Sequence, residues 1–126
     1  MIDSIRSTPG PKNRTRPTLT LSIALLFVAA LSAGQAKQKF TGVITDDMCA
    51  KGDHSAMRMG PNDAECTKAC IALHSASYVL YDGKSAYVLS DQKLPEKLAG
   101  QKVTVVGTLD ANTKTIKVDS IAAAAK

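Results

Sequence analysis

Ser77–Ile121 reads SYVLYDGKSAYVLSDQKLPEKLAGQKVTVVGTLDANTKTIKVDSI, and its pattern decides the fold class. Two β-rich runs, Ser77–Tyr81 and Ser85–Ser90, flank Asp82-Gly83-Lys84. An Asp-Gly dipeptide between such runs is a strong hairpin signal, because a type I′ turn needs positive φ at both central residues. With Asp82-Gly83 as the turn, Tyr78 faces Tyr87 and Leu80 faces Ser85. Residues 91–99 (DQKLPEKLA) fit a short helical turn that stops at Gly100. Gln101–Leu109 and Thr113–Ile121 then form a second hairpin around Asp110-Ala111-Asn112. Val103 and Val105 alternate with Lys102 and Thr104, and Ile116 and Val118 alternate with Thr115 and Lys117. A period of two marks strands with one wet face.

Upstream, Phe40–Thr45 (FTGVIT) reads as a first strand, with Gly42 inside it. Glycine within a strand points to a bulge, a bend or a close backbone approach. Residues 46–76 carry no strand pattern. They open on Asp46-Asp47, hold Gly52, Gly60-Pro61 and Asn62-Asp63 as turn signals, and include a helix-compatible run, Ala64–Leu73, with Asp63 as its N-cap. The order is strand, insert with a helix, hairpin, helical turn, hairpin. That order predicts a mainly β fold, a small five-stranded OB-like antiparallel barrel. The insert, residues 46–76, sits between strands 1 and 2; a two-sheet β-roll is the alternative. The tail Ala122–Lys126 is expected to fray.

The chain has 126 residues, with 16 Lys+Arg against 11 Asp+Glu, a formal charge of +5. That length allows one domain and excludes a large multidomain enzyme or a polytopic membrane protein. The charge is unevenly placed. Residues 1–18 hold Arg6, Lys12, Arg14 and Arg16 against Asp3 alone, and residues 19–33 (LTLSIALLFVAALSA) are fifteen uncharged positions. Small residues and then Lys37-Gln38-Lys39 follow. A basic segment, a short apolar one and a small-residue break match a secretory signal peptide over residues 1–36, cleaved after Ala36. Fifteen helical residues span roughly 22 Å, short of the roughly 30 Å hydrocarbon core. The break carries no Cys for a lipid anchor, and the leader has no Arg-Arg pair for the twin-arginine route. The expected location is periplasmic or secreted.

Residues 37–126 then form a single 90-residue domain with twelve basic and ten acidic side chains. The basic excess belonged mostly to the leader. No Lys/Arg cluster interleaved with aromatics remains, so the partner is a protein or a small ligand, with no nucleic acid and, after leader removal, no membrane. Val, Ile, Leu and Phe number 18 of the 90, while 13 are Ala. So thin a core is commonly helped by a covalent or metal staple.

The residues able to form one lie together. Met48, Cys49, His54, Met57, Met59, Cys66, Cys70 and His74 include all three Cys and both His of the chain, within 27 residues. Cys66, Cys70 and His74 follow at i, i+4 and i+8, which keeps them near one face of a helix. Cys49 and His54 come from the preceding loop. The candidate metal ligands are therefore Cys49, His54, Cys66, Cys70 and His74. A Cys₃His shell suits zinc, and Cys₂His with a Met suits copper. The plainer reading is a disulfide from Cys49 to Cys66 or Cys70 that pins the insert, contributing about 2–4 kcal/mol and leaving one odd thiol. Asp46-Asp47 reads as a solvated strand end rather than a carboxylate pair or a Ca²⁺ site. Tyr78, Tyr81 and Tyr87 read as cross-strand packing rather than a stacking face. G-x-S-x-G, C-x-x-C, H-E-x-x-H and phosphate-loop motifs are all missing.

The chain resembles an uncharacterised family of small secreted bacterial proteins with a signal peptide and a Cys/His-containing OB-like domain. The resemblance covers residues 38–121. It is carried by Phe40–Cys49 (FTGVITDDMC), His54, Cys66–Cys70 (CTKAC), Tyr78–Leu80 (YVL), Tyr87–Asp91 (YVLSD) and Val103–Asp110 (VTVVGTLD). It implies the fold and the location but no activity. The expectation for function is a secreted, non-enzymatic binding module whose Cys/His-lined insert takes a soft metal. The alternatives are a disulfide-stapled interaction module without metal, and a thiol redox protein.

Overall fold

The first strand, β1, spans Gln38–Asp46 and serves two neighbours. Its first part, Gln38 to Val43, pairs antiparallel with β4 (Lys102–Asp110), and its last part, Val43 to Asp46, pairs antiparallel with β2 (Tyr78–Tyr81). The partner changes at Val43, and Gly42 stands just before the change. A Cβ on Gly42 would lie 2.3 Å from the Tyr81 carbonyl oxygen. The glycine expected to permit a bend or a close approach therefore permits a close approach. The computed structural model describes residues 9–10 and 34–125. The leader expected over residues 1–36 lies outside these, apart from residues 9, 10 and 34–36. Among the described residues, no helix is long and apolar enough to cross a membrane.

The fold is mainly β. Among the described residues five strands, with β3 at Ala86–Leu89 and β5 at Thr115–Ala123, close in the order β1-β2-β3-β5-β4 and back to β1. Four of the five pairings are antiparallel, and β3–β5 is parallel. The expectation of an all-antiparallel sheet is corrected there. Hydrophobic patterning gives no hint of it, because strand direction is set by how the chain returns and not by which face is apolar. The helix α1 (Asp63–His74) lies between β1 and β2, and a 3₁₀ turn at Leu94–Leu98 joins β3 to β4. β5 continues to Ala123, into the tail expected to fray.

The period-two reading of β4 and β5 matches the burial. Val103, Val105 and Ile116 are buried, while Lys102 and Lys117 are exposed. These side chains meet Ile44, Tyr78, Leu80, Leu89 and Ala99 in the ring interior, with Phe40, Tyr87, Ala64 and Ile71 packed against them. Tyr78 is thus core, and Tyr87 pairs with Phe40 at 6.1 Å between centroids, as expected for packing rather than for an open stacking face.

The first hairpin has a different register from the one expected. Leu80 faces Tyr87 and Tyr81 faces Ala86, so Asp82 and Ser85 flank a two-residue turn at Gly83-Lys84. Gly83 has φ 97, and Lys84 is not in the positive-φ region. Glycine first with an ordinary residue second is the II′ pattern. Asp82 acts as a flank instead: its Oδ1 accepts from the Lys84 and Ser85 N–H groups at 2.8 and 2.7 Å. The N-cap of α1 also shifts by one residue. Asn62 Oδ1 accepts from the Glu65 N–H at 2.9 Å, and Asp63 is the first helical residue.

One helical side chain is left unsatisfied. Thr67 is fully buried and its Oγ1 has no hydrogen-bond partner. Thr67→Val keeps the shape and removes the orphan hydroxyl. The variant is expected to gain about 1 kcal/mol of stability, since a buried unsatisfied group costs roughly 1–3 kcal/mol. Urea unfolding checks the sign.

Candidate metal centre

The site grows from the end of β1. Directly paired residues share a face, so Ile44 and Leu80 point into the ring, whereas Thr45 and Val79 point outward. Both outward residues are nonetheless buried. The insert folds back over them: Thr45 Oγ1 donates to the Cys49 carbonyl at 3.0 Å and contacts His54 Nε2 at 3.3 Å. Asp46, one residue further, shares the inward parity of Ile44 and lies at the rim.

Asp46 is fully buried. Its Oδ1 accepts from the Met48 and Cys49 N–H groups at 3.1 and 2.9 Å, which turns the chain sharply and brings Cys49 back over the strand end. Its Oδ2 has no hydrogen-bond partner. Asp47 does something different: it is exposed, and it extends the β1–β2 pairing by exchanging hydrogen bonds with Ser77. The solvated strand end read from the sequence is therefore correct for Asp47 and corrected for Asp46. Alternation carried the signal. Ile44 is apolar and inward, so residue 46 is inward if the strand continues.

Helix α1 supplies the other side. A carboxylate oxygen of Asp46, Cys49 Sγ and Cys70 Sγ all lie within 4.8 Å of one another, and all three residues are buried. His54, 2 % exposed, places Nδ1 4.0 Å from Asp46 Oδ2, and that nitrogen also lacks a hydrogen-bond partner. The cysteines are three free thiols, so neither the Cys49–Cys66 nor the Cys49–Cys70 bridge is made.

The remaining sequence candidates fall around this group. Cys66 is buried one turn before Cys70, with its Sγ engaged elsewhere: it donates to the Met57 carbonyl and accepts from the Met59 N–H, each at 3.2 Å. It ties the 57–59 loop to the helix. His74 is exposed in the last turn of α1. Met48, Met57 and Met59 are exposed on the insert surface.

Electrostatics follow from this packing. Burial, then the Asp46 charge, raises the Cys49 thiol above its ordinary range. Burial pushes Cys70 up to about 11, with Asp46 and the two neighbouring thiols adding to it. Redox-active cysteines have the opposite setting, a thiolate stabilised by cations or helix N-termini. Two surface hollows, one at Gln101, Lys102 and Ala123 and one at Thr108, Asp110 and Lys117, include none of the residues around Asp46. Comparison of the chain with protein-family models, with curated proteins and with solved structures finds no match.

Proposed function

We propose that the chain is an exported, OB-like, non-enzymatic module that binds a zinc-type ion through Asp46, Cys49, Cys70 and His54. The observation that carries this is the convergence of a carboxylate and two thiols in one buried spot, with a carboxylate oxygen left unpartnered. An isolated buried carboxylate is costly unless it is paired or ligates a metal. Two sulfurs, one oxygen and one imidazole nitrogen are donors that zinc accepts in tetrahedral geometry. Four protein donors fill that geometry and leave no position for substrate, which argues for a binding or structural role over catalysis. Copper is the second choice. Copper(I) favours thiolate and thioether, and here the thioethers stand on the surface while a carboxylate takes the inner place.

The strand order β1-β2-β3-β5-β4, with a helical turn between strands 3 and 4, supports the OB-like reading. The basic and apolar leader composition supports export, and with it periplasmic or secreted location and the resemblance to the secreted family. The partner read from composition is a protein or small ligand.

The test is native and denaturing mass spectrometry of protein made from the full coding sequence and purified without a polyhistidine tag. The expected result is one zinc per chain under native conditions, three thiols alkylated after denaturation, and a new N-terminus after residue 36. A metal-free chain that excludes added zinc, or one two mass units light from a Cys49–Cys70 bridge, overturns the metal reading. The bridged result would favour the stapled interaction module.

A further inference from the structure

We propose that Thr45 is a positioning residue: it fixes the ring tautomer of His54 and so makes Nδ1, rather than Nε2, the fourth donor. The inference rests on the metal reading above and deepens it.

One proton decides the tautomer. Thr45 Oγ1 has two neighbours at hydrogen-bond distance, the Cys49 carbonyl oxygen at 3.0 Å and His54 Nε2 at 3.3 Å. A hydroxyl has one hydrogen to donate and lone pairs with which to accept. A carbonyl only accepts, so the hydroxyl hydrogen goes to Cys49. The second contact is then a hydrogen bond only if His54 supplies the proton. Nε2 therefore carries hydrogen, and in the neutral ring Nδ1 carries a lone pair.

That lone pair has no protein partner and stands 4.0 Å from Asp46 Oδ2, which has none either. Both residues are buried, so bulk water does not serve them. With the ring neutral these are two facing acceptors, which a cation between them would satisfy. Zinc–nitrogen and zinc–oxygen bonds of about 2.0–2.2 Å sum to about 4.0–4.3 Å, enough to span these two atoms. His54 stands outside the group of Asp46, Cys49 and Cys70 whose ligand atoms lie within 4.8 Å of one another, so its ring must swing towards the sulfurs to complete a four-donor site. The sulfurs of Cys49 and Cys70 lie beside the same carboxylate. Metal-bound histidines nearly always donate their other ring N–H to an oxygen, which holds ring and tautomer. Here that oxygen is on β1, the most firmly paired part of the site. Its neighbour Asp46 is held in the same manner, Oδ1 bound to two backbone N–H groups and Oδ2 left to bind.

The test uses ¹⁵N-labelled protein from the full coding sequence, stripped with chelator and reloaded with one equivalent of zinc. His74→Gln leaves a single imidazole to observe, since the chain has two His. Long-range ¹H–¹⁵N correlation is expected to show His54 bound through Nδ1 with its proton on Nε2. Thr45→Val is expected to weaken zinc affinity by roughly 10–100-fold, in line with the loss of other outer partners. Thr45→Ser is expected to restore it, which simple packing of the threonine methyl would not do. Zinc bound through Nε2, a His54 that is not a ligand, or a valine variant within twofold of wild type overturns the tautomer lock and leaves the Asp46–Cys49–Cys70 site standing. Absence of zinc binding overturns both. If the valine variant does not fold, the wild-type ring spectrum decides alone.

Discussion

Asp46→Asn is expected to reverse the order of stabilities between two buffers. In chelator at pH 8 the variant should unfold at higher urea than wild type; in excess zinc it should unfold at lower urea. The two oxygens of this side chain do different things. Oδ1 holds the turn by accepting from the Met48 and Cys49 N–H groups, and an amide oxygen keeps both bonds in weaker, neutral form. Oδ2 is the buried, unpartnered atom that faces His54 Nδ1 at 4.0 Å. An amide nitrogen there turns two facing acceptors into a donor and an acceptor, and it removes a buried charge. Relief of one such unsatisfied group is worth roughly 1–3 kcal/mol without metal. With metal the balance inverts. Zinc at a hundred times its dissociation constant stabilises wild type by about 2.7 kcal/mol, and a variant that has lost the anionic ligand forgoes most of it. Parallel curves in both buffers would show that no metal uses this carboxylate.

Gly42→Ala is expected to be strongly destabilising, at about 3 kcal/mol or more. The new Cβ would lie 2.3 Å from the Tyr81 carbonyl oxygen, 2.8 Å from its carbon and 3.1 Å from Leu80 Cγ. The first two are backbone atoms of a paired strand, so no rotamer change makes room, and β1 must part from β2. Overpacking typically costs 1–3 kcal/mol, and a backbone clash belongs at the upper end or beyond. A domain of about 90 residues has only roughly 5–13 kcal/mol in total. Gly83→Ala is the control. Its Cβ meets nothing within 4 Å, but its φ is 97, so it should cost only about 1–2 kcal/mol of backbone strain. Thermal unfolding of the two variants separates a loss of space from a loss of conformational freedom.

Much of the fold is legible from local chemistry. Alternation located β4 and β5, an Asp-Gly pair announced the first hairpin, and the absence of alternation marked the insert. The register of that hairpin was not legible. Asp and Gly are favoured at several turn positions, and Asp82 serves better as a flanking acceptor than inside the turn. The parallel β3–β5 pairing was equally hidden, because apolar faces do not encode direction. For the site, the clustering of cysteine and histidine in 46–76 picks out the segment that holds the buried Asp46, Cys49 and Cys70. Two of its members converge with Asp46, His54 stands beside them, Cys66 anchors a loop, and His74 points to solvent. Helical spacing places residues on a face of a helix, yet what that face meets depends on the strand beneath it. The sequence reads Asp46 as a solvated strand end rather than a ligand, because charge at a strand end ordinarily means water and only the parity with Ile44 argues otherwise.

The parallel seam has a consequence of its own. A closed ring has no strand edges, which protects it from pairing with other chains. This ring is held between β3 and β5 by Val88 opposite Thr115 and Leu89 opposite Ile116, bonded at Val88 N–H to Lys114 and Ser90 N–H to Ile116, with the Val118 N–H donating to Ser90 Oγ just beyond. It is the shortest of the five pairings, and Val88 is already 37 % exposed there. Local opening begins where the fewest bonds must break. Parting this seam bares two edges at once while leaving β1, and so the ends of the strand that carry Thr45 and Asp46, in place. None of the residues proposed to hold the metal lies on β3 or β5, so metal binding adds no bond across this seam. Protection against edge-to-edge assembly rests instead on a handful of residues around Leu89.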